Sequence, residues 1–243
     1  MSYIQQPRSV TDGLIFCIDA ANPKCFGAGQ TTAKDLAQGF ECTGANGNPG
    51  SGTHTPDPDY FPEYNAAYGG VFDFSGSRGI NVEDDLGSHT EFSMSMWYYK
   101  NGTGVQYFSD GRNDGGQWFL SNYTSKNINY TDKLTYNFDT GYFGDNSDFV
   151  FRWQHMVVTS NSGGSQIFID GTKRTADDSD SVDEDLGVNF RIGTRYTTTA
   201  SWTGYMGPIH IYNRVITDEE VIQNFNAFRG RFGICVYRII ALE

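Results

Sequence analysis

The sequence is short of positive charge. Of its 243 residues only 17 are Lys or Arg, against 29 Asp or Glu, giving a net charge of -12 and a pI of 4.6. No basic stripe exists to neutralise phosphates, which argues against nucleic acid as a ligand and against an anionic membrane surface. Long apolar runs are missing too. Nothing approaches the ~20 residues of a membrane span, and the opening M-S-Y-I-Q-Q-P-R-S-V has no apolar signal-peptide core. The expectation is a chain made in a cytoplasm, not exported by the standard route and not inserted in a membrane. Cysteine is scarce. Cys17, Cys25, Cys42 and Cys235 have neither metal-ligand spacing nor the density of a disulfide scaffold, so they read as free thiols. Helical periodicity is absent until the chain is nearly complete.

Aromatics and glycine are plentiful: 15 Tyr, 18 Phe and 29 Gly. Aromatic strands punctuated by Gly favour sheet over helix. The chain is centred on Arg152 to Gly171, R-W-Q-H-M-V-V-T-S-N-S-G-G-S-Q-I-F-I-D-G. It reads as two strands with Trp153, His155, Val157 and Thr159 on one face and Met156 and Val158 on the other. Gly163-Gly164 and Asp170-Gly171 supply the reversals. Further strands are expected at Leu14–Ile18, near Phe40–Thr43, at Tyr60-Phe61, Val71–Phe74, Ile80–Val82, Glu91–Tyr99, Gln106–Ser109, Gln117–Ser121, Lys133–Phe138, Phe190–Gly193 and Gly204–Tyr212. Asp110 to Gly116 and the acidic stretch Ala176 to Gly187 read as loops. Thr217 with Glu220 three residues on is a capping box, and Val221, Ile222, Phe225 and Phe228 give the following helix one apolar face, ended by Gly230. The pattern predicts an all-β fold, a two-sheet antiparallel jelly-roll sandwich with one short C-terminal helix. Residues 1–12 read as an N-terminal arm, 13–234 as the sandwich domain and 235–243 as a C-terminal tail.

Four segments in order resemble the laminin-G-like, concanavalin A-like lectin/glucanase superfamily. They are V-F-D-F-S-G-S-R-G-I-N-V from Val71, F-S-M-S-M-W-Y-Y from Phe92, the central W-Q-H-M-V-V-T to I-F-I-D-G, and F-R-I-G-T to G-Y-M-G-P-I-H-I-Y-N-R-V-I-T-D-E-E-V from Phe190. The opening G-L-I-F-C-I-D-A-A-N-P-K and the ending N-A-F-R-G-R-F-G-I are similar to the two ends of lectin-like structural proteins of tailed bacteriophages, notably those of marine cyanobacteria. The resemblance implies a non-enzymatic virion protein on capsid or tail. Its partners would be other virion proteins, further copies of itself and host-surface glycans. A free-standing carbohydrate-binding lectin, calcium-dependent or not, stays open beside it.

The residues bear on these readings unequally. Some glucanases of the superfamily carry their nucleophile and acid/base carboxylates on an E-x-D-x-E strand. None exists here; Glu83-Asp84-Asp85 and Asp218-Glu219-Glu220 are adjacent carboxylates at a turn and a helix start. His155 reads as a packing residue, not a general base. Asp110, Asn113 and Asp114, with Gly111 and Gly115 beside them, are the best calcium cluster, and Asp177 to Asp185 the second. The same residues also make ordinary solvated turns. Tyr123, Tyr142, Phe143, Tyr196 and Trp202 lie in or beside expected loops, where exposed aromatics would contact a glycan or a partner, or else pack beneath those loops.

Overall fold

The computed structural model describes residues 7–45, 57–76, 78–102, 151–174, 190–194 and 201–234 in full, and strand backbone at 106–113, 116–123, 127–131, 137–139 and 184–185. In chain order the strands are β1 (Leu14–Ile18), β2 (Ala33–Lys34), β3 (Glu41–Gly44), β4 (Glu63–Asn65), β5 (Val71–Asp73), β6 (Ile80–Val82), β7 (Ser88–His89), β8 (Phe92–Lys100) and β9 (Gln106–Asn113). They continue as β10 (Gly116–Tyr123), β11 (Asn127–Thr131), β12 (Asn137–Asp139), β13 (Trp153–Asn161), β14 (Gly164–Ile169), β15 (Thr172–Arg174), β16 (Glu184–Asp185), β17 (Arg191–Ile192) and β18 (Gly204–Tyr212). The helix α1 is Asp218–Phe228, and Pro58–Tyr60 and Ala67–Gly69 are 3-10 turns.

Two antiparallel sheets form the jelly-roll sandwich. The first runs β15-β14-β13-β8-β18-β5-β4, with β1 also on β18; the second runs β12-β11-β10-β9-β17-β6-β3-β2. A small ribbon pairs β16 with β7. The core lies between the sheets. Phe92, Met94, Met96 and Tyr98 of β8, Met156 and Val158 of β13, and Ile209 and Ile211 of β18 face Cys42, Ile80, Val82 and Ile192 of the second sheet. Each such side chain contributes roughly 1.5–3 kcal/mol by leaving water.

The first sheet is covered on its other face as well. There α1 lays Val221, Phe225 and Ala227 against it, with Phe232 behind. This explains why β8 and β13 are buried along nearly their whole length while their sequences alternate. The capping box forms: Thr217 accepts from the Glu220 N–H, and Glu220 accepts from the Thr217 N–H. Ile222, expected on the docking face, is 46% exposed, and the polar Asn224 is buried in its stead. Asn224 accepts from the Val10 N–H at 2.9 Å and donates to the Tyr212 hydroxyl at 3.0 Å, which donates to the Val10 carbonyl at 3.1 Å. Residues 8–12 therefore do not form a separate arm: Val10 is buried and the Arg8 carbonyl accepts from Gln223. Residues 1–6 and the tail from 235 onward lie outside the described residues.

Other differences are local. Tyr60 closes a 3-10 turn capped by Asp57, because Pro58 cannot donate to a ladder; the strand there is β4. The expected loop from Asp110 is mostly strand, since β9 continues to Asn113. Of Lys133–Phe138 only Asn137 and Phe138 are described, in β12, and Ala176–Gly187 is described only at β16. The hairpin between β14 and β15 turns on Asp170 and Gly171, both at positive φ (52° and 77°), as a two-residue reversal requires. Cys17, Cys25 and Cys42 are free and buried. Burial pushes the Cys25 thiol up to about 12, so it carries no thiolate at neutral pH.

Candidate functional site

Strand pairing lines up five side chains that are scattered in the sequence. Glu63 of β4 lies opposite Asp73 of β5, Asp73 opposite Tyr205 of β18, Tyr205 opposite Tyr99 of β8, and Tyr99 opposite Trp153 of β13. Directly opposed residues of an antiparallel pair share a face. Here it is the outer face, because the neighbours Phe72, Met206 and Tyr98 point into the core. The result is a row across five strands, carboxylate at one end and aromatic at the other.

The aromatic end is open. Tyr99 and Tyr205 are half-buried with ring centroids 5.7 Å apart, and Tyr99 meets Trp153 at 5.9 Å. Trp153 is buried beneath Tyr68, edge-on at 5.2 Å, and Phe232 at 4.2 Å. Tyr68 is 43% exposed and holds a positive φ of 55°. A non-glycine residue held there stores strain that the surrounding contacts must offset. The Tyr205 phenol is raised above its usual range, first by burial and then by the Asp73 carboxylate and the Tyr68 and Tyr99 hydroxyls, so these groups converge.

At the carboxylate end, Arg78 fixes the geometry. Its guanidinium donates to Glu63 at 2.7 Å, to the Phe61 carbonyl at 2.7 Å and to the Ser75 carbonyl at 3.1 Å. Beside it opens a cleft of 410 Å³, lined among others by Gln30, Thr31, Asp59, Phe61 and Tyr64. Its wall depends on Gly44, where a Cβ would collide with the Asp57 carbonyl and the Phe61 backbone nitrogen. Only glycine lets the 57–61 turn lie against β3.

Ser95 and His155 form the hydroxyl–imidazole pair of the outer face, Oγ to Nε2 at 2.9 Å. Both are buried, with the Trp97 ring 5.1 Å and the Phe225 ring 6.0 Å from the imidazole. Burial, then His210, pulls the His155 pKa down to about 3. Asp170 accepts from the His155 backbone N–H, not from its ring. The pair is packed among these rings, as the reading of His155 as a packing residue expects.

The expected site residues fare unequally. Trp202, read as a loop aromatic, is fully buried between the sheets and edge-on to Tyr98 at 5.6 Å. Its backbone N–H donates to the Gly193 carbonyl, which holds the segment inward and keeps the indole out of a bound glycan's reach. Asp110 sits inside β9, paired with Phe119 and Arg191, and Asn113 ends that strand. Tyr123 ends β10. Asp114, Tyr142, Phe143 and Tyr196 lie outside the described residues. Among the described residues no group of three or more His, Cys, Asp or Glu is placed to hold a metal ion. The row itself was not anticipated. Trp153, Tyr99 and Tyr205 stand at strand ends in the sequence, but nothing local says that they meet.

The profile of the concanavalin A-like lectin/glucanases superfamily matches residues 74–222. No curated protein matches the chain by sequence. Among solved structures, domain 4 of the extracellular GH43 arabinanase AbnA from Geobacillus stearothermophilus, in complex with arabinotriose, is similar with a TM-score of 0.64 at 15% identity, over 91% of this chain and 99% of that one. Trypanosoma rangeli sialidase, with the inhibitor DANA, gives 0.61 at 14% identity over 92% of this chain but 35% of its own. Botulinum neurotoxin type C, whose cell entry depends on two ganglioside molecules, gives 0.58 at 14% over 89% of this chain and 51% of its own. At these identities the likeness is one of fold.

Proposed function

The chain belongs to the concanavalin A-like lectin/glucanase superfamily, and from that premise we infer that it is a non-enzymatic glycan-binding domain carried by a virion structural protein. The observation that carries the glycan reading is the row Glu63–Asp73–Tyr205–Tyr99 on the outer face. Sugar rings bind through their C–H faces on aromatic rings and through hydroxyls on carboxylates, and the row offers both side by side on a rigid sheet. The arabinotriose complex of a similarly folded domain supports the reading. The non-enzymatic part rests on the burial of Ser95 and His155 and on the lack of an E-x-D-x-E strand.

The virion role rests on the two end segments that resemble phage structural proteins, and their joining supports it. Asp19 of the opening segment and Arg231 of the closing one form an ion pair at 2.8 Å, both side chains 15% exposed. Arg231 also donates to the Tyr68 and Gly70 carbonyls. The ends thus act as one unit beside the aromatic row. Docking on other virion proteins and contacts between copies would use the surfaces the row leaves free.

Two measurements test this. A glycan array with the wild type and Tyr99→Ala and Tyr205→Ala should show binding that each variant weakens at least about tenfold, or about 1.4 kcal/mol; identical profiles for all three would sink the glycan reading. Density-gradient sedimentation of the native protein, with mass spectrometry of each fraction, should find it with large particles at a fixed ratio to a major shell or tail protein. A free 27.1 kDa chain or small oligomer at the top of the gradient would refute the virion role.

A further inference from the structure

Glu63 stands where the row meets the cleft, and it pairs with the Arg78 guanidinium there. We propose that Glu63 makes this site selective for uncharged glycans by holding Arg78 in an internal ion pair; the inference rests on the glycan-binding reading above.

An anionic sugar is recognised by a cation with open N–H groups, and a bidentate guanidinium is the strongest such donor. Arg78 pairs with Glu63 at one end of the row, and Arg231 bonds the Tyr68 carbonyl beside the other. Every nitrogen of Arg78 has a partner: Nε donates to the Ser75 carbonyl, Nη1 to the Phe61 carbonyl and Nη2 to Glu63. Arg231 is engaged just as fully, Nε with the Tyr68 carbonyl, Nη1 with Asp19 and Nη2 with the Gly70 carbonyl. Neither presents a free fork.

The acceptors are open by contrast. The Glu63 side chain is 69% exposed while that of Arg78 is 26% exposed, so the carboxylate stands outermost in the pair. Among the described residues Asp73 accepts through Oδ1, from the Ser75 N–H at 3.0 Å and its hydroxyl at 2.6 Å, which leaves Oδ2 for a sugar hydroxyl. Glu63 and Asp19 pair with Arg78 and Arg231, Asp73 and Asp59 lie beside them, and the chain as a whole carries a net charge of -12. The site therefore offers hydroxyl-accepting groups in a negative field, which suits neutral polyhydroxylated rings and repels carboxylated ones. Glu63 is a specificity-determining residue: it faces the ligand side while silencing a cation that would otherwise reverse the preference.

The test is a titration series with paired probes, neutral oligosaccharides and the same oligosaccharides ending in glucuronate or sialic acid, against the wild type, Glu63→Gln and Tyr99→Ala. The wild type should bind neutral probes at least about tenfold more tightly than anionic ones, and Glu63→Gln should gain about tenfold for the anionic probes, a gain that added salt removes. Glu63 is exposed, so the variant should keep its melting temperature, which is recorded alongside. A wild type that binds both probe classes equally, with Tyr99→Ala abolishing both, overturns the selectivity and leaves the glycan reading standing. An unaltered preference in Glu63→Gln also overturns it. Loss of all glycan binding in every protein defeats the glycan reading itself, and this inference with it.

Discussion

Two buried histidines should make the sandwich acid-labile well above the range where carboxylates titrate. Burial, and for His155 the neighbouring His210, pulls His155 down to about 3; burial alone pulls His210 down to about 4. His155 faces Ser95, Trp97 and Phe225, and His210 stacks on Tyr212 and Phe228; no carboxylate in these contacts would take up an imidazolium charge. In the unfolded chain each ring takes a proton near pH ~6.5. The unfolded state therefore binds more protons than the folded one below that value, so stability is full above pH ~7 and falls as pH drops through the window from ~6.5 to ~4. Each group contributes ~1.4 kcal/mol per pH unit, so the two together give roughly 3 kcal/mol per unit, or about 4 kcal/mol between pH 7 and 5. That is a large share of the 5–15 kcal/mol typical of a domain, to an order of magnitude. The assay is urea denaturation at pH 7.5, 6.5, 5.5 and 5.0 with a common m-value. His155→Gln and His210→Gln should each remove about half of the slope, whatever they do to stability at pH 7.5. A wild-type stability that is flat from pH 7 to 5, or a slope untouched in the double variant, would refute the reasoning.

Trp202→Ala should lower stability by about 3–5 kcal/mol through the cavity it leaves; a Trp202 that quenches with iodide in a single-tryptophan variant would contradict its place between the sheets. Arg231→Ala leaves Asp19 largely buried without its partner and should cost about 2–4 kcal/mol, less than for a fully buried pair because the side chains keep some water. A double-mutant cycle with Asp19→Asn should return a coupling of more than about 1 kcal/mol. Glu220→Gln removes the negative charge that pairs with Arg214 at 2.7 and 2.8 Å and leaves one acceptor oxygen to serve both Arg214 and the Thr217 N–H. Because Arg214, then the helix cap, holds the Glu220 pKa below its usual value, its contribution is present at neutral pH and is lost as pH falls through that lowered value. The variant should therefore be less stable than wild type at pH 7 by about 1 kcal/mol and equal to it in strong acid.

Much of the sandwich was legible because strand faces are a local property. Side chains alternate with period two, so Met94 and Met96, or Met156 and Val158, share a face whatever surrounds them. Asp170-Gly171 and the Thr217–Glu220 box act over two to four residues and formed as expected. Elsewhere the local signal misled. Trp202 looks like a loop aromatic beside Thr203 and Gly204, yet a single backbone bond to Gly193 carries it into the core. Residues 8–12 look like an arm, but Asn224, a polar residue on an apolar helix face, receives Val10.

By itself the sequence determined the period-two faces of the strands, the reversals between them and the capped helix, since each follows from steric and hydrogen-bonding rules acting between near neighbours. Only the tertiary structure decided which outward faces meet water. The outer residues Val157 and Trp97 are covered by the helix and the segments flanking the sandwich, while Tyr99 and Tyr205, on the same face, are left half open. It also assembled the row, because Asp73 and Tyr205 become neighbours through the pairing of β5 with β18. Such pairing is set by the packing of the whole core, which no stretch of sequence between two turns contains.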